Sequence, residues 1–289
     1  MEINQMNLID GRQLAYAQYG DLTGKPVFFF HGTPGSRFFH PPTQITSKFG
    51  VRLITVDRPG YGSSTFQPDR KITDWPKDIF QLADSLGLDT FAIAGHSGGG
   101  PYVLACAHAL PNRVFSTVTI SSTGPVEAID PSSEISAINR FGFKFGRYFP
   151  WPIWEILIYS LFHKRSRDPW KDMDQQAKNR PQADSLLMNK PEIRNNCFHS
   201  EVEAFRPGLR GFAWDTRLLT RPWGFSLEEI RVPVKIWHGL ADNQAPVSMA
   251  SYLSKKISTS SARLIPGEAH LLLFKYWEEI LADLLSPPK

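Results

Sequence analysis

Runs of apolar residues alternate with segments of helical spacing along the first part of the chain. Four apolar runs predict strands that are covered on both faces of a sheet: residues 26–30, 51–56, 91–94 and 114–121. Between them, residues 74–86 place apolar side chains at helical spacing and stop at Gly87, and residues 101–110 predict a second helix. Strands that alternate with helices in this way predict an α/β fold, with a mostly parallel sheet and helices on both of its faces.

The remaining regular elements continue this pattern toward both ends of the chain. Two strands at about residues 3–9 and 13–19 are joined by Asp10-Gly11, a pair that favours a tight hairpin turn. A helix is expected to begin in residues 31–37, directly after the first buried strand. The last part of the chain predicts strands at residues 232–239 and 262–265, a helix at 247–257, and a final helix that carries Leu271, Phe274, Trp277 and Leu281.

Residues 125–222 interrupt the alternation, because they contain no clear buried strand and many aromatic and basic side chains. Within them, five apolar residues fall on one face of a predicted helix: Trp154, Leu157, Ile158, Leu161 and Phe162. We expect most of the aromatic side chains to pack against the core, with a membrane-surface role for the basic and aromatic face as the alternative. The sequence therefore predicts a core in two parts, residues 1–124 and 223–289, around an inserted helical domain at 125–222.

Composition changes this picture only by excluding classes of protein. Of the 289 residues, 42% are apolar and 21% are charged, and the net charge of +4 comes without a block of lysine and arginine, so we expect no nucleic-acid partner. No run approaches the roughly 18 apolar residues of a membrane span, and residues 1–5 lack the features of a signal peptide. Cys106 and Cys197 indicate no disulfide framework or metal site and fit a reducing cytoplasm, where we expect the protein.

Residues 95–99 (Gly-His-Ser-Gly-Gly) lie between a predicted strand and a predicted helix, and we interpret Ser97 as a nucleophile. On so tight a turn the serine adopts strained backbone angles, and the positions two residues away must lack bulk for strand and helix to approach. The amide of Gly98 then points toward an oxyanion formed beside the serine. The alternatives are an incidental serine on a glycine-rich turn and a phosphate loop, although the Lys-Ser/Thr ending of a phosphate loop is absent.

With these motifs, the chain resembles an α/β-hydrolase along its whole length apart from the insertion. Residues 31–35 (His-Gly-Thr-Pro-Gly) resemble the loop that supplies an oxyanion amide in that superfamily, and residues 57–64 resemble a turn that is common there. The resemblance implies an oxyanion hole formed by the backbone amides of Thr33 and Gly98. It also implies that the insertion is a helical cap that gives substrate selectivity. Two residues of these loops are expected to support them rather than to react: His31 and Arg58.

An aspartate and a histidine, Asp242 and His270, each follow a late predicted strand at the edge of the sheet that carries Ser97. The chain order Ser, Asp, His is the order of the α/β-hydrolases. In that scheme His270 takes the proton from Ser97, and Asp242 orients and charge-stabilises the imidazole. Other residues remain open for two of the roles: His238 as the base, and Glu127 or Asp130 as the acid.

The features together predict a serine hydrolase that cleaves a small to medium, largely apolar carboxylic ester through an acyl-enzyme. No cofactor and no metal is expected, and the expected partner is a small-molecule substrate. An amide or peptide hydrolase like the proline iminopeptidases is an alternative, although the nucleophile turn of those enzymes usually reads Gly-Gly-Ser-Trp-Gly. A small-molecule receptor without turnover on the same fold is a second alternative. The oligomeric state stays open.

Overall fold

The strands that the structure describes form one sheet. A computed structural model describes residues 4–130, 137–168, 170–171, 173–174 and 180–286. The strands are β1 (Asn4–Asn7), β2 (Gln13–Gly20), β3 (Lys25–Phe30), β4 (Val51–Val56), β5 (Phe91–His96), β6 (Val114–Ile120), β7 (Val234–Gly239) and β8 (Ser260–Ile265). They lie in the order β1-β2-β4-β3-β5-β6-β7-β8. The pairs β1–β2 and β2–β4 are antiparallel, and all other neighbours are parallel.

Helices pack on both faces of this sheet, and others lie in the segment between β6 and β7. In chain order they are α1 (Thr43–Lys48), α2 (Trp75–Ser85), α3 (Gly100–Ala109), α4 (Ala137–Phe145), α5 (Trp151–Arg167), α6 (Gln182–Met188), α7 (Pro191–Ala204), α8 (Arg210–Leu219), α9 (Val247–Lys256) and α10 (Leu273–Leu285). Side chains of α2, α3 and α9 pack on one face, and those of α1 and α10 on the other. The predicted α/β-hydrolase fold is confirmed. Among the described helices, none is both long and apolar enough to cross a membrane.

Successive side chains of β3 point to opposite faces of the sheet, as the pleat of a strand requires. Phe30 packs edge to face with Trp75 of α2, at 5.3 Å between ring centroids. Its neighbour Phe29 meets Trp277 of α10 on the other face, at 6.1 Å. All four rings are at most 2% exposed. The continuous apolar run therefore supplies both halves of the core, which explains why it does not alternate with polar residues.

The register of the parallel strands brings their carboxyl ends to one edge. The partners at this edge are Phe30 with Gly95, His96 with Ile120, Ile120 with Trp237, and Gly239 with Ile265. The loops that follow β3, β5, β6, β7 and β8 consequently leave the sheet side by side. This is the edge at which open α/β sheets collect their chemistry.

Between β6 and β7, the described residues form helices α4–α8 and no strand. Trp154 of α5 and Phe212 of α8 pack in one apolar cluster with Tyr61, which belongs to the core loop after β4. Parts of the predicted insertion, residues 131–136, 169, 172 and 175–179, lie outside the described residues. The boundaries at residues 125 and 222 stay a prediction.

One expectation from the sequence was wrong. No helix begins in residues 31–37; α1 begins at Thr43, after Pro42. In residues 31–37, backbone amides donate to side chains from other parts of the chain. Arg37 N donates to Asp57 Oδ1 at 2.6 Å, and Ser36 N donates to Ser200 Oγ at 3.0 Å.

The apolar face of α5 is buried over part of its width. Trp154 and Ile158 are buried, and Leu157 and Phe162 pack against the same cluster. Leu161, in contrast, is 48% exposed. Leu161 lies outside the buried stripe, because the apolar cluster covers a narrower part of the helix surface than the five apolar residues span.

The insertion approaches the core closely at a pair of glycines. A Cβ added to Gly211 of α8 would overlap the carbonyl oxygen of Gly60. We expect Gly211→Ala to lower the free energy of unfolding by about 1–3 kcal/mol, because the helix must move away from the core loop. Urea denaturation monitored by circular dichroism measures the change.

Gly142→Ala in α4 is the matched control, since a Cβ at that helical glycine meets no atom within 4 Å. Alanine there should raise the free energy of unfolding by up to about 1 kcal/mol. Equal effects of the two substitutions would contradict the close approach.

Candidate active site

Ser97 lies on a strained turn between β5 and α3. Its φ is +54°, in the left-handed region that residues other than glycine rarely adopt. A Cβ on Gly95 would lie 2.5 Å from Val103 Cγ2, and a Cβ on Gly99 would lie 2.7 Å from the carbonyl oxygen of His31. The helix therefore approaches the strand closely before the serine, and the loop after β3 approaches the turn closely after it. Such an outlier costs about 1–3 kcal/mol and is a reason to expect function at this position.

Asp242 and His270 contact each other at the same edge of the sheet. His270 Nδ1 lies 2.8 Å from Asp242 Oδ2. The other carboxylate oxygen of Asp242 accepts from the amides of Gln244 at 2.9 Å and Ala245 at 3.0 Å. Both oxygens of the carboxylate are thus fixed, and both side chains are buried.

The charges of this pair shift both pKa values. Burial of the His270 imidazole acts to lower its pKa, but the charge and hydrogen bond of Asp242 outweigh it, with a smaller contribution from Asp184, and the pKa is raised. Burial acts to raise the pKa of Asp242, but the charge and hydrogen bond of His270 reverse this and lower it. The pair therefore favours the protonated imidazole beside the ionised carboxylate.

Ser97 is connected to His270 by a hydrogen bond of its neighbour His96. The Nε2–H of His96 donates to the carbonyl oxygen of His270 at 2.9 Å, and the two rings are 4.7 Å apart. Among the described residues, no hydrogen bond joins the Ser97 hydroxyl to His270. Catalytic hydrogen bonds are often long without substrate and shorten only when it binds. The structure thus brings Asp242 and His270 into contact, and His96, the residue before Ser97, bonds the backbone of His270.

Thr33 and Gly98, the expected oxyanion donors, lie against each other. A Cβ on Gly98 would lie 2.8 Å from Thr33 Cβ, and a Cβ on Gly32 would lie 3.3 Å from Ser97 Cβ. The loop after β3 therefore passes directly over the serine turn, where only glycine leaves it room. Thr33 therefore lies against Gly98, the residue that follows Ser97.

Arg58 connects this loop to the insertion. Its guanidinium donates to the carbonyl oxygen of Gly32 at 2.7 Å and to Thr33 Oγ1 at 2.8 Å, and it also bonds the carbonyl oxygen of His31. Its Nε donates to Asp215 Oδ2 of α8 at 2.8 Å. The prediction that Arg58 supports the loop is confirmed by these contacts.

Asp215 is a residue that sequence reasoning missed. It also accepts from Arg70 and, at 2.6 Å, from Tyr102 Oη. Burial acts to raise its pKa, but the charges of Arg58 and Arg70 outweigh burial and lower it. The sequence contains one sign of its role, the position of the carboxylate in the helix. Asp215 shares one face of α8 with Phe212 and Leu219, and helical spacing predicts an apolar residue at this position.

The other candidates have different contacts. The Nε2–H of His238 donates to the carbonyl oxygen of Ala245 at 2.8 Å, and burial lowers the pKa of this histidine. Glu127 lies 3.9 Å from Arg147, with both side chains exposed, and the amide of Asp130 donates to Ser248 Oγ at 3.2 Å. Within the part of the chain that the structure describes, no group of three or more His, Cys, Asp or Glu residues is arranged to bind a metal.

The chain is similar to known hydrolases along nearly its whole length. It is 26% identical over 267 residues to an uncharacterized hydrolase of Bacillus subtilis, covering 91% of this chain and 90% of that protein. It is also 26% identical over 289 residues to a bifunctional esterase/perhydrolase of Acinetobacter calcoaceticus, with 96% of each chain covered.

Solved structures show the same fold. The esterase RhEst1 from Rhodococcus sp. ECU1013 superposes with a TM-score of 0.70 over 99% of both chains, at 18% sequence identity. A model of the alpha/beta hydrolase family matches residues 27–283 of this sequence. Since that match spans all but the two ends of the chain, the protein belongs to the alpha/beta hydrolase family.

Proposed function

We propose that this protein is a serine hydrolase that cleaves small to medium, largely apolar carboxylic esters through an acyl-enzyme. The observation that carries the proposal is the left-handed backbone of Ser97 at the end of β5, at the sheet edge where Asp242 bonds His270. The similarity to an esterase/perhydrolase over 96% of the chain supports an ester substrate.

In the proposed reaction, His270 Nε2 removes the hydroxyl proton of Ser97 while Oγ attacks the ester carbonyl carbon. The backbone amides of Thr33 and Gly98 stabilise the resulting oxyanion. The imidazolium, stabilised by Asp242, then protonates the leaving alcohol as the carbon–oxygen bond breaks. Water attacks the acyl-enzyme with His270 again as base, and Ser97 is regenerated with release of the acid.

The insertion supplies an apolar side chain beside the proposed nucleophile. A Cβ on Gly98 would lie 3.2 Å from Leu219 Cδ1, at the end of α8. An apolar acyl group next to this residue would be removed from water, which favours its binding. This contact is the reason for proposing apolar rather than charged esters.

The nucleophile is tested with p-nitrophenyl esters of varied acyl length and with a fluorophosphonate probe. We expect the wild-type protein to hydrolyse the esters and to be labelled, and Ser97→Ala to lose both properties because it lacks the attacking oxygen. Ser121→Ala is the control: Ser121 directly follows the neighbouring strand β6, also with a positive φ of 46°, and the variant should keep both properties.

Labelling of Ser97→Ala would refute the assignment. Proline β-naphthylamide in the same panel tests the amide alternative, which faster hydrolysis of this compound than of any ester would support. A single covalent event without steady-state turnover of any compound would instead support a receptor.

The pH dependence tests the base. Because His270 must be neutral to accept a proton and its pKa is raised, kcat/KM should increase with pH through a midpoint above the ordinary histidine value of about 6.5. His270→Gln should lose at least about 10³-fold in kcat. His238→Gln should stay within about tenfold, since glutamine can still donate to the Ala245 carbonyl. Greater loss from His238→Gln would make His238 the base.

Substitution of the carboxylates tests the acid. Asp242→Asn should lower kcat by several orders of magnitude, because the amide leaves the imidazole in the wrong tautomer, a change that costs about 10⁴-fold in a well-studied serine protease. Asp130→Asn and Glu127→Gln should each stay within about tenfold. The reverse pattern, in variants whose circular dichroism is unchanged, would move the acid to the loop after β6.

A further inference from the structure

We propose that Asp184 of α6 is a positioning residue for His270, so that the insertion fixes the backbone of the base. The proposal rests on the proposed function, because it concerns the same histidine. It adds a residue that is distant in sequence and belongs to the insertion rather than to the core.

The contacts of Asp184 are directed at the backbone that carries His270. Asp184 Oδ2 accepts from the amide of His270 at 3.2 Å, and Oδ1 accepts from the amide of Leu271 at 2.8 Å. The carboxylate is 0% exposed. Although it lies in the first turn of α6, where an acid commonly caps its own helix, both of its oxygens bond another segment.

These bonds complete a set of anchors on His270. The side chain is bonded by Asp242 after β7, the carbonyl oxygen by His96 at the end of β5, and the amide by Asp184. Asp242 orients the imidazole effectively only when the backbone of His270 is fixed, since a movement of the Cα carries the ring with it. A misplacement of about 1 Å can cost about 10²-fold in rate.

An apolar residue would be the simpler choice if Asp184 served packing alone. Leu187 and Met188 follow it at helical spacing and belong to a buried apolar cluster with Leu271. A carboxylate on this face loses its hydration, and that loss is compensated only where hydrogen bonds replace the water. The two amides supply such bonds, and they are the amides of His270 and its neighbour.

The charge of Asp184 also acts on the imidazole. The titratable groups that face His270 are Asp242, Asp184, Arg180, His96 and His238. Among them, Asp184 raises the pKa of His270 and Arg180 lowers it. Burial raises the pKa of Asp184 itself, against the charge of His270 and the two amide bonds. Loss of this carboxylate should consequently lower the pKa of His270.

The experiment compares Asp184→Asn with the wild-type protein. Asparagine can accept from only one of the two amides, and its NH₂ group opposes the other. We expect kcat for the best p-nitrophenyl ester to fall about tenfold or more, with KM changed less than about threefold. The acid limb of the kcat/KM profile should move to lower pH, and so should the NMR titration of the His270 imidazole, identified by its absence in His270→Gln.

Asp174→Asn is the matched control, because Asp174 is an exposed carboxylate of the insertion that pairs with Arg194. It should leave turnover and the profile unchanged. If Asp184→Asn does not fold, Asp184→Ser replaces it, since the serine hydroxyl accepts one amide bond without charge. A variant that melts earlier but keeps the wild-type kcat and acid limb would overturn the proposal.

The two proposals fail in different ways. Labelling of Ser97→Ala, or an inactive wild-type protein, would refute the serine hydrolase. The NMR titration still measures the effect of Asp184 on His270 in that case, and an unchanged His270 midpoint would overturn the positioning role. With an active wild-type protein, unchanged kinetics of Asp184→Asn would refute the positioning role alone.

Discussion

The turn at Ser97 is the constraint on which the candidate site depends. A residue with a Cβ in the left-handed region is unfavourable by itself, and it persists only where the surrounding structure determines it. Here the determinant is β5, whose residues are all buried and which lies between β3 and β6. The serine follows directly at the end of this strand, and the loop after β3 passes so near the turn that a Cβ on Gly98 would lie 2.8 Å from Thr33 Cβ. The glycines of the site are therefore consequences of one backbone geometry.

Polar side chains of the insertion bond the loops of this edge. The contacts are Asp215 with Arg58, Asp184 with the amides of His270 and Leu271, Ser200 with the amide of Ser36, and Glu203 with Arg37. Buried ion pairs add little net stability compared with apolar packing, but loss of one partner costs about 3–5 kcal/mol. The ion pairs Asp215–Arg58 and Glu203–Arg37 therefore connect these helices to the loops at this edge of the sheet without adding much net stability.

The sequence predicted what depends on local pattern. Buried strands were recognised because a parallel sheet covered on both faces requires continuous apolar runs, as in β3 and β5. The approximate position of Asp242 and His270 followed from the strands that precede them. Asp184 and Asp215 were missed because their partners lie 86 and 157 residues away, and spacing carries no information about such pairs. The local sequence indicated these residues only by placing a carboxylate at an apolar position of a helix. The helix expected after β3 is absent for a similar reason. The amides of that loop donate to Ser200 and Asp57, which spacing within the loop does not reveal.

The surroundings of the two carboxylates that contact His270 shift their pKa values in opposite directions. The charge and hydrogen bond of His270 outweigh burial at Asp242 and lower its pKa, whereas burial dominates at Asp184 and raises its pKa. On acidification Asp184 is therefore protonated at a higher pH than Asp242. A carboxyl whose pKa is lowered by folding stabilises the fold above its unfolded pKa and loses that contribution as pH falls through its folded pKa. Asp184 has the opposite sign, because its protonation relieves the cost of a buried charge. As the pH falls, the charge of Asp184 beside His270 is therefore lost before that of Asp242.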